Sequence, residues 1–168
     1  MKFSPDIVQT RWVSPLGPMI VAATPRGLAG LWFEGQRHLP APELMAAWPQ
    51  QPEHPVLRQA AQQLGDYFAG RRVTFDLPLD LQGGTPFQQS VWQALLAIPC
   101  GKTTSYGKLG QHVGKPTAVR TVGAAVGRNP VSVVVPCHRV LGADGALTGY
   151  AGGLDRKTAL LQLEGALQ

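Results

Sequence analysis

DIVQTRWVSPLGPMIVAATPRGLAGLWFEG, residues 6–35, decides the first half of the fold. Three runs rich in Val, Ile and Trp occupy residues 6–13, 17–24 and 27–35. SPLG and TPRG separate them, and Pro with Gly at those positions reads as turns. The pattern predicts a three-stranded antiparallel meander. Beyond it, residues 38–55 carry Pro40, Pro42, Pro49, Pro52 and Pro55, so any helix there is short. From Val56 to Ala69, Leu57, Ala60, Ala61, Leu64, Tyr67 and Phe68 recur at helical spacing, and Gly70 is placed to stop that helix. FDLPLDLQGG, residues 75–84, reads as an extended segment running into a linker.

The second half changes character. In TPFQQSVWQALLAIPCG, Thr85 suits an N-cap and Pro86 the first helical position. Phe87, Val91, Leu95 and Ile98 keep one apolar face, and Pro99 and Gly101 end the helix. Ser105 is placed to cap a helix holding Leu109 and Val113. Gly114-Lys115-Pro116 then makes a turn, and Thr117 is placed to cap a second helix through Val119, Val122 and Val126. Two short helices around a Gly turn form a helix-turn-helix pattern, which ordinary αα-hairpins share. The second helix is rich in small residues, with Arg120 near its start. Lys157 to Leu163 reads as a last helix.

Composition narrows the class. The chain has 168 residues, 44% hydrophobic and 15% charged, which is globular rather than disordered. No apolar run approaches the roughly 20 residues that span a bilayer. The N-terminus lacks the pattern of a secretory signal, so the expected location is cytoplasmic. Cys100 and Cys137 make neither a disulfide framework nor a C-x-x-C pair, and His38, His54, His112 and His138 show no ligand spacing. No metal and no cofactor are therefore expected. Residues 1–85 hold seven Lys/Arg against seven Asp/Glu, whereas residues 86–168 hold eight against three, a net of +5. A basic half fits a polyanion partner, and it also fits a soluble basic surface.

VVVPCHRVLG, residues 133–142, carries the chemistry. Val131 to Val135 reads as a buried strand interrupted by Ser132, and Pro136 ends it. Cys137 then stands at a strand end, and a helical turn over 137–141 would offer N–H groups that favour the thiolate. His138 is adjacent and could take the thiol proton, provided a carboxylate orients it. Asp144, Asp155 and Glu164 are the candidates. Glu164 sits near a helix end, where the dipole does not favour it, which points to a partner elsewhere. A buried inert thiol beside a core histidine fits the same residues.

PCHRV, preceded by NPVSVVV and followed by GYAGG and LLQLEG, resembles the active-site signature of the O6-alkylguanine-DNA alkyltransferases. The similarity runs from about Thr85 to Gly165, with SYGKL, AVRTVG and RNP in order; the N-terminal half matches only in size and strand-rich start. The resemblance implies an α/β chain, α+β in arrangement. A ribonuclease H-like antiparallel sheet with a helix occupies residues 1–84. A mostly helical domain with a helix-turn-helix occupies residues 85–168. It implies a protein that flips an O-alkylated base out of duplex DNA and transfers the alkyl group irreversibly, once, to its own cysteine. O6-alkylguanine is the implied substrate, with O4-alkylthymine beside it. The partner is double-stranded DNA, with no membrane, and the chain acts as a monomer that can cluster along DNA.

Carried over residue by residue, Cys137 is the acceptor, His138 deprotonates it through a water, and Glu164 orients His138. Asn129 holds the turn leading to Cys137, and Tyr106 crowds the flipped nucleotide and helps protonate the leaving guanine. Arg120 enters the stack as a finger, with Thr117, Ala118, Thr121, Gly123, Ala124 and Arg128 beside the DNA. Val126, Val140 and the loop of Leu147, Thr148, Gly149, Tyr150, Ala151 and Gly152 wall the alkyl pocket.

The chemistry suits these roles. A thiolate is the softest nucleophile available for attack at an O-alkyl carbon, and the thioether formed has no acyl carbon for water to attack. An arginine can fill the gap that a flipped base leaves. The pair Tyr150-Ala151 departs from a Tyr-Ser pair of some relatives, so backbone N–H groups must serve the substrate oxygen here. The N-terminal half has no cysteine, so the zinc site of some relatives is not expected. A non-catalytic lesion-binding protein and a cysteine hydrolase using Cys137 and His138 are the competing readings. The N-terminal half, neutral and without candidate catalytic groups, is expected only to buttress the second.

Overall fold

A computed structural model describes residues 1–167. The predicted meander is present: β1 (Val8–Ser14), β2 (Gly17–Thr24) and β3 (Gly27–Phe33) pair antiparallel in that order. Pairings such as Val8↔Ala23 and Met19↔Phe33 set the register, with a bulge at Ala22/Ala23. Strands β2 and β3 read as almost unbroken apolar runs because both faces of the sheet are covered. Met19, Val21, Leu31 and Phe33 face the main core with Leu57 and Leu64, while Ile20, Ala22 and Trp32 face a smaller cluster with Ile7 and Trp48. Helix α1 (Pro42–Ala46) is short, as its prolines require. Helix α2 (Pro55–Phe68) lies across the sheet and stops before Gly70, which takes a φ of 78°.

The second half is mostly helical. Helix α3 (Pro86–Leu96) opens with a full capping box: Gln88 N–H donates to Thr85 Oγ1 at 3.1 Å, and Thr85 N–H donates to Gln88 Oε1 at 3.0 Å. Such a cap is worth about 1 kcal/mol. Ser105 caps α4 (Tyr106–His112) through Lys108 N–H at 3.1 Å. Helix α5 (Val119–Gly127) packs on α3 and α4, and buried Trp92 donates from Nε1 to the Ala125 carbonyl at 2.8 Å. Thr117 does not cap α5; Ala118 holds that position and no side chain caps it. Strand β4 (Thr104–Ser105) pairs parallel with β5 (Val140–Leu141), and α6 (Leu154–Leu163) closes the chain. No helix among the described residues is long and apolar enough to cross a membrane.

One feature of the sheet governs the rest. Strand β3 has a free edge, and an unpaired edge demands partners. Two single bridges supply them: Leu28 with Leu79, and Leu31 with Val131. Leu31 N–H donates to the Pro130 carbonyl at 2.8 Å, and Ser132 N–H donates to the Leu31 carbonyl at 2.9 Å. The segment leading to Cys137 is thus clipped to the N-terminal sheet.

Candidate active site

Val131 to Val135 is not a strand. After the bridge at Val131 the chain turns, with Val135 N–H donating to the Val131 carbonyl at 2.9 Å and Val133 at a φ of 72°. A β-branched residue in the left-handed region carries about 1–3 kcal/mol of strain and persists only where neighbours impose it. Asn129 imposes it. Its Oδ1 accepts from Val131 N–H at 2.9 Å and its Nδ2 donates to the Val135 carbonyl at 2.7 Å, so one buried side chain spans the turn. A run of valines has the composition of a strand, and the Asn129 clamp overrides it.

The turn delivers Cys137 and His138 into a single turn of 3-10 helix, Cys137–Arg139. Cys137 is 5% exposed. Burial pushes its thiol up to about 11, against smaller opposing effects of Asn129, Lys157 and its own backbone N–H. The expected thiolate is therefore not the resting form; desolvation outweighs the local N–H groups. Ionising this thiol in place is about 3 kcal/mol harder than for an ordinary one, so a base has to take the proton.

The candidate base is the next residue in the same turn. His138 is fully buried, with Nε2 2.8 Å from Glu164 Oε2. Burial pushes the Glu164 carboxyl up, but hydrogen bonds from His138, Arg139 and Tyr67 prevail and hold it at about 2. An ionised carboxylate only accepts, so Nε2 donates and Nδ1 carries the lone pair. Nδ1 is buried and has no protein hydrogen-bond partner. Burial, the largest influence, keeps the imidazole below its ordinary value despite the carboxylate. His138 is thus neutral, oriented and able to accept a proton. Glu164 follows the last residue of α6, and the dipole argument against it fails because four hydrogen bonds outweigh a helix end worth about 0.3–1 kcal/mol.

A cavity of about 120 Å³ opens beside the thiol, lined in part by Tyr106, Val126, Cys137, Gly149, Tyr150 and Ala151. Tyr106 begins α4, and burial and then Cys137 hold its phenol above the ordinary value, so it keeps its proton. The Tyr150 hydroxyl is buried without a protein partner. Val140, Leu147, Thr148 and Gly152, expected in the pocket wall, are not among the residues that line the cavity; Leu147 is half-buried and Thr148 exposed. Val140 is buried in β5, and Gly152 lies under the Tyr150 ring, where an added Cβ would come within 2.7 Å. Lys157, which sequence reasoning did not single out, fastens the loop: its buried Nζ donates to the carbonyls of Val140, Thr148 and Gly149 at 2.6, 2.8 and 3.2 Å. Arg37 and His38 also reach the cavity mouth, and Arg37 N–H donates to the Ala151 carbonyl at 2.9 Å.

On the outer side, α5 buries Val122, Ala125 and Val126 and exposes Arg120, Thr121 and Ala124. Thr117 and Arg128 are exposed at its two ends; Ala118 and Gly123 are half-buried. Gly123 and Val126 lie on α5 and also line the cavity. One helix therefore links an exposed, small-residue surface to the nucleophile.

The family model for the 6-O-methylguanine DNA methyltransferase DNA-binding domain matches residues 86–166, and the model for its ribonuclease-like domain matches residues 7–81. The chain belongs to this family. It is 49% identical over 151 residues to the methylated-DNA–protein-cysteine methyltransferase of Mycobacterium leprae, covering 90% of this chain and 88% of that one. It is 46% identical over 154 residues to the protein of the same name from Methanosarcina acetivorans, covering 91% and 95%. The crystal structure of the Mycobacterium tuberculosis O6-methylguanine methyltransferase superposes with a TM-score of 0.85 at 44% identity, over 96% of this chain and 94% of that one. A crystal structure of the M. tuberculosis protein in complex with DNA gives 0.83 at 44% identity, over 95% and 92%. The family thus shares the sheet half as well as the half that carries PCHRV.

Proposed function

We propose that this protein repairs DNA as a methylated-DNA–protein-cysteine S-methyltransferase, taking the alkyl group of O6-alkylguanine onto Cys137. The observation that carries the reading is a buried neutral imidazole, paired with an ionised carboxylate and next in sequence to the Cys137 thiol, which opens on a cavity lined by the same helix that presents Arg120. The thiol proton passes to His138 Nδ1 through a water, and Glu164 stabilises the imidazolium. The sulfur attacks the alkyl carbon; an S–C bond forms and the C–O bond breaks. The oxygen keeps the electron pair, and the leaving guanine takes a proton donated by Tyr106. The resulting thioether leaves no route to regeneration, so each molecule acts once.

The finer features belong to the same proposal. Residues 1–84 and 85–168 act as supporting and reacting domains. Helices α4 and α5 work as a helix-turn-helix in the minor groove, where small residues allow close approach. The target base is flipped into the cavity at a cost of a few kcal/mol, and Arg120 fills its place. O4-alkylthymine enters the same pocket, and the protein acts as a monomer. Intact-mass measurement after mixing with O6-methylguanine duplex tests the core of this. One added methyl group, mapped to Cys137, is expected; a protein of unchanged mass, or one that turns over repeatedly, overturns it.

A further inference from the structure

Glu164 is held from both halves of the chain. Its Oε2 receives His138 Nε2 at 2.8 Å and Arg139 Nη2 at 2.9 Å, and a third donor, the Tyr67 hydroxyl, at 2.6 Å. Oε1 receives Arg139 Nε at 2.8 Å. Tyr67 lies on α2, 97 residues away in the chain, and is 2% exposed. Three donors thus share an oxygen that offers about two lone-pair directions. We propose that Tyr67 is a positioning residue whose phenol competes with His138 for Glu164 Oε2 and so sets how tightly the imidazole holds a proton. The inference rests on the relay reading above and adds a residue to it from the supporting half.

The argument is one of shared charge. A buried imidazole next to a carboxylate with no other donors would be drawn toward imidazolium, and an imidazolium has no lone pair with which to accept the thiol proton. Each further donor to Oε2 withdraws negative charge from His138. Arg139 alone leaves much of that charge on Oε2, because its Nε is spent on Oε1. The phenol supplies the third donor without adding positive charge, and burial followed by the Glu164 charge holds it firmly protonated. It can give a hydrogen bond and never a proton. The other groups facing the relay are Cys137 on the same turn, Lys157 on α6, Cys100 after α3 and the protonated Tyr150 phenol in the loop before α6. Arg139 and Lys157 oppose a proton on His138, so loss of the phenol leaves Glu164 as the dominant pull.

The test uses the full chain. Single-turnover methyl transfer from O6-methylguanine duplex is measured from pH 5 to 9 for wild type and Tyr67→Phe. The acid limb of the Tyr67→Phe profile should move to higher pH by at least about half a unit, a loss of about 3-fold at the foot of the limb. A superimposable profile, or one lowered equally at every pH, overturns the proposal. A second protein carries 3-fluorotyrosine at position 67 alone, a stronger donor in the same volume. Its limb should move to lower pH, and an unmoved limb overturns the proposal even where Tyr67→Phe folds poorly. Wild-type protein that fails to methylate Cys137 would instead sink the repair reading, so the two failures are separable.

Discussion

Replacing Asn129 with Ala tests whether one side chain fixes the turn that presents Cys137. The substitution removes both bonds that bridge the turn, leaving the N–H of Val131 and the carbonyl of Val135 without their partner in residues that are 0% exposed. A buried backbone group left unpaired costs about 1–3 kcal/mol, so the pair costs about 2–6. Water entering the small space left by the amide offsets part of this, and relaxation of Val133 out of the left-handed region offsets more. A net loss of about 3 kcal/mol is expected, a large share of the 5–15 kcal/mol typical of a domain. In a chain of this size that lowers Tm by about 6–12 °C.

Urea unfolding followed by tryptophan fluorescence, with an unchanged m-value, reads the stability directly. Transfer chemistry should suffer more than stability. A turn that relaxes by about 1 Å misplaces the sulfur, and misplacement on that scale costs about 100-fold in rate. Single-turnover transfer at 10 °C, where the variant stays folded, should show that loss. A stability change below about 1 kcal/mol with a rate within about 3-fold of wild type would refute the clamp.

Arg120→Ala should slow repair of duplex DNA by at least about 10-fold while reaction with a free O6-alkylguanine base and stability stay near wild type, because Arg120 is exposed. Equal losses in the two assays would remove the finger role. Glu164 has a folded-state value of about 2 against an ordinary 4.5, so its contribution is complete above about 4.5 and is lost as pH falls toward 2. That shift corresponds to about 3 kcal/mol, and Glu164→Gln should flatten the stability profile in that window when both proteins are unfolded in urea at a series of pH values. Lys157→Met strips Nζ from three carbonyls, of which Val140's is fully buried. Relief of a buried charge offsets much of that cost, so stability should change by less than about 2 kcal/mol. Hydrogen exchange over residues 147–151 should accelerate, and an unaltered loop would refute the tie.

Much of this site was legible where the information is local. The N-caps at Thr85 and Ser105 depend on residues three apart, and both are present; the reciprocal bond from Gln88 that completes a box at Thr85 is added by the structure. The meander follows from apolar runs broken by turn peptides, and its continuous runs are explained by burial on both faces. Val131 to Val135 misled because composition reports β-propensity, while the conformation is set by an asparagine two residues upstream of the run. Thr117 misled because a good cap residue is not used when the backbone enters the helix one residue later. The resemblance alone assigns Glu164 to orient His138; the helix-end argument points elsewhere because it cannot include the Tyr67 hydroxyl that α2 brings to it.

The supporting half was the least legible part, and its contribution shows why. Tyr67, Arg37 and His38 have no motif; each reaches the site only because the sheet is docked where it is. A free edge on β3 requires pairing, and the segment that pairs with it at Val131 is the one that ends in the nucleophile. Docking the two halves and shaping the Cys137 turn therefore act on one short segment: Leu31 pairs with Pro130 and Ser132, and Asn129 holds Val131 and Val135. The same docking carries α2 close enough for Tyr67 to reach Glu164. A half that is electrically neutral and carries no nucleophile of its own still fixes where the sulfur sits and, through one phenol, what its base can do.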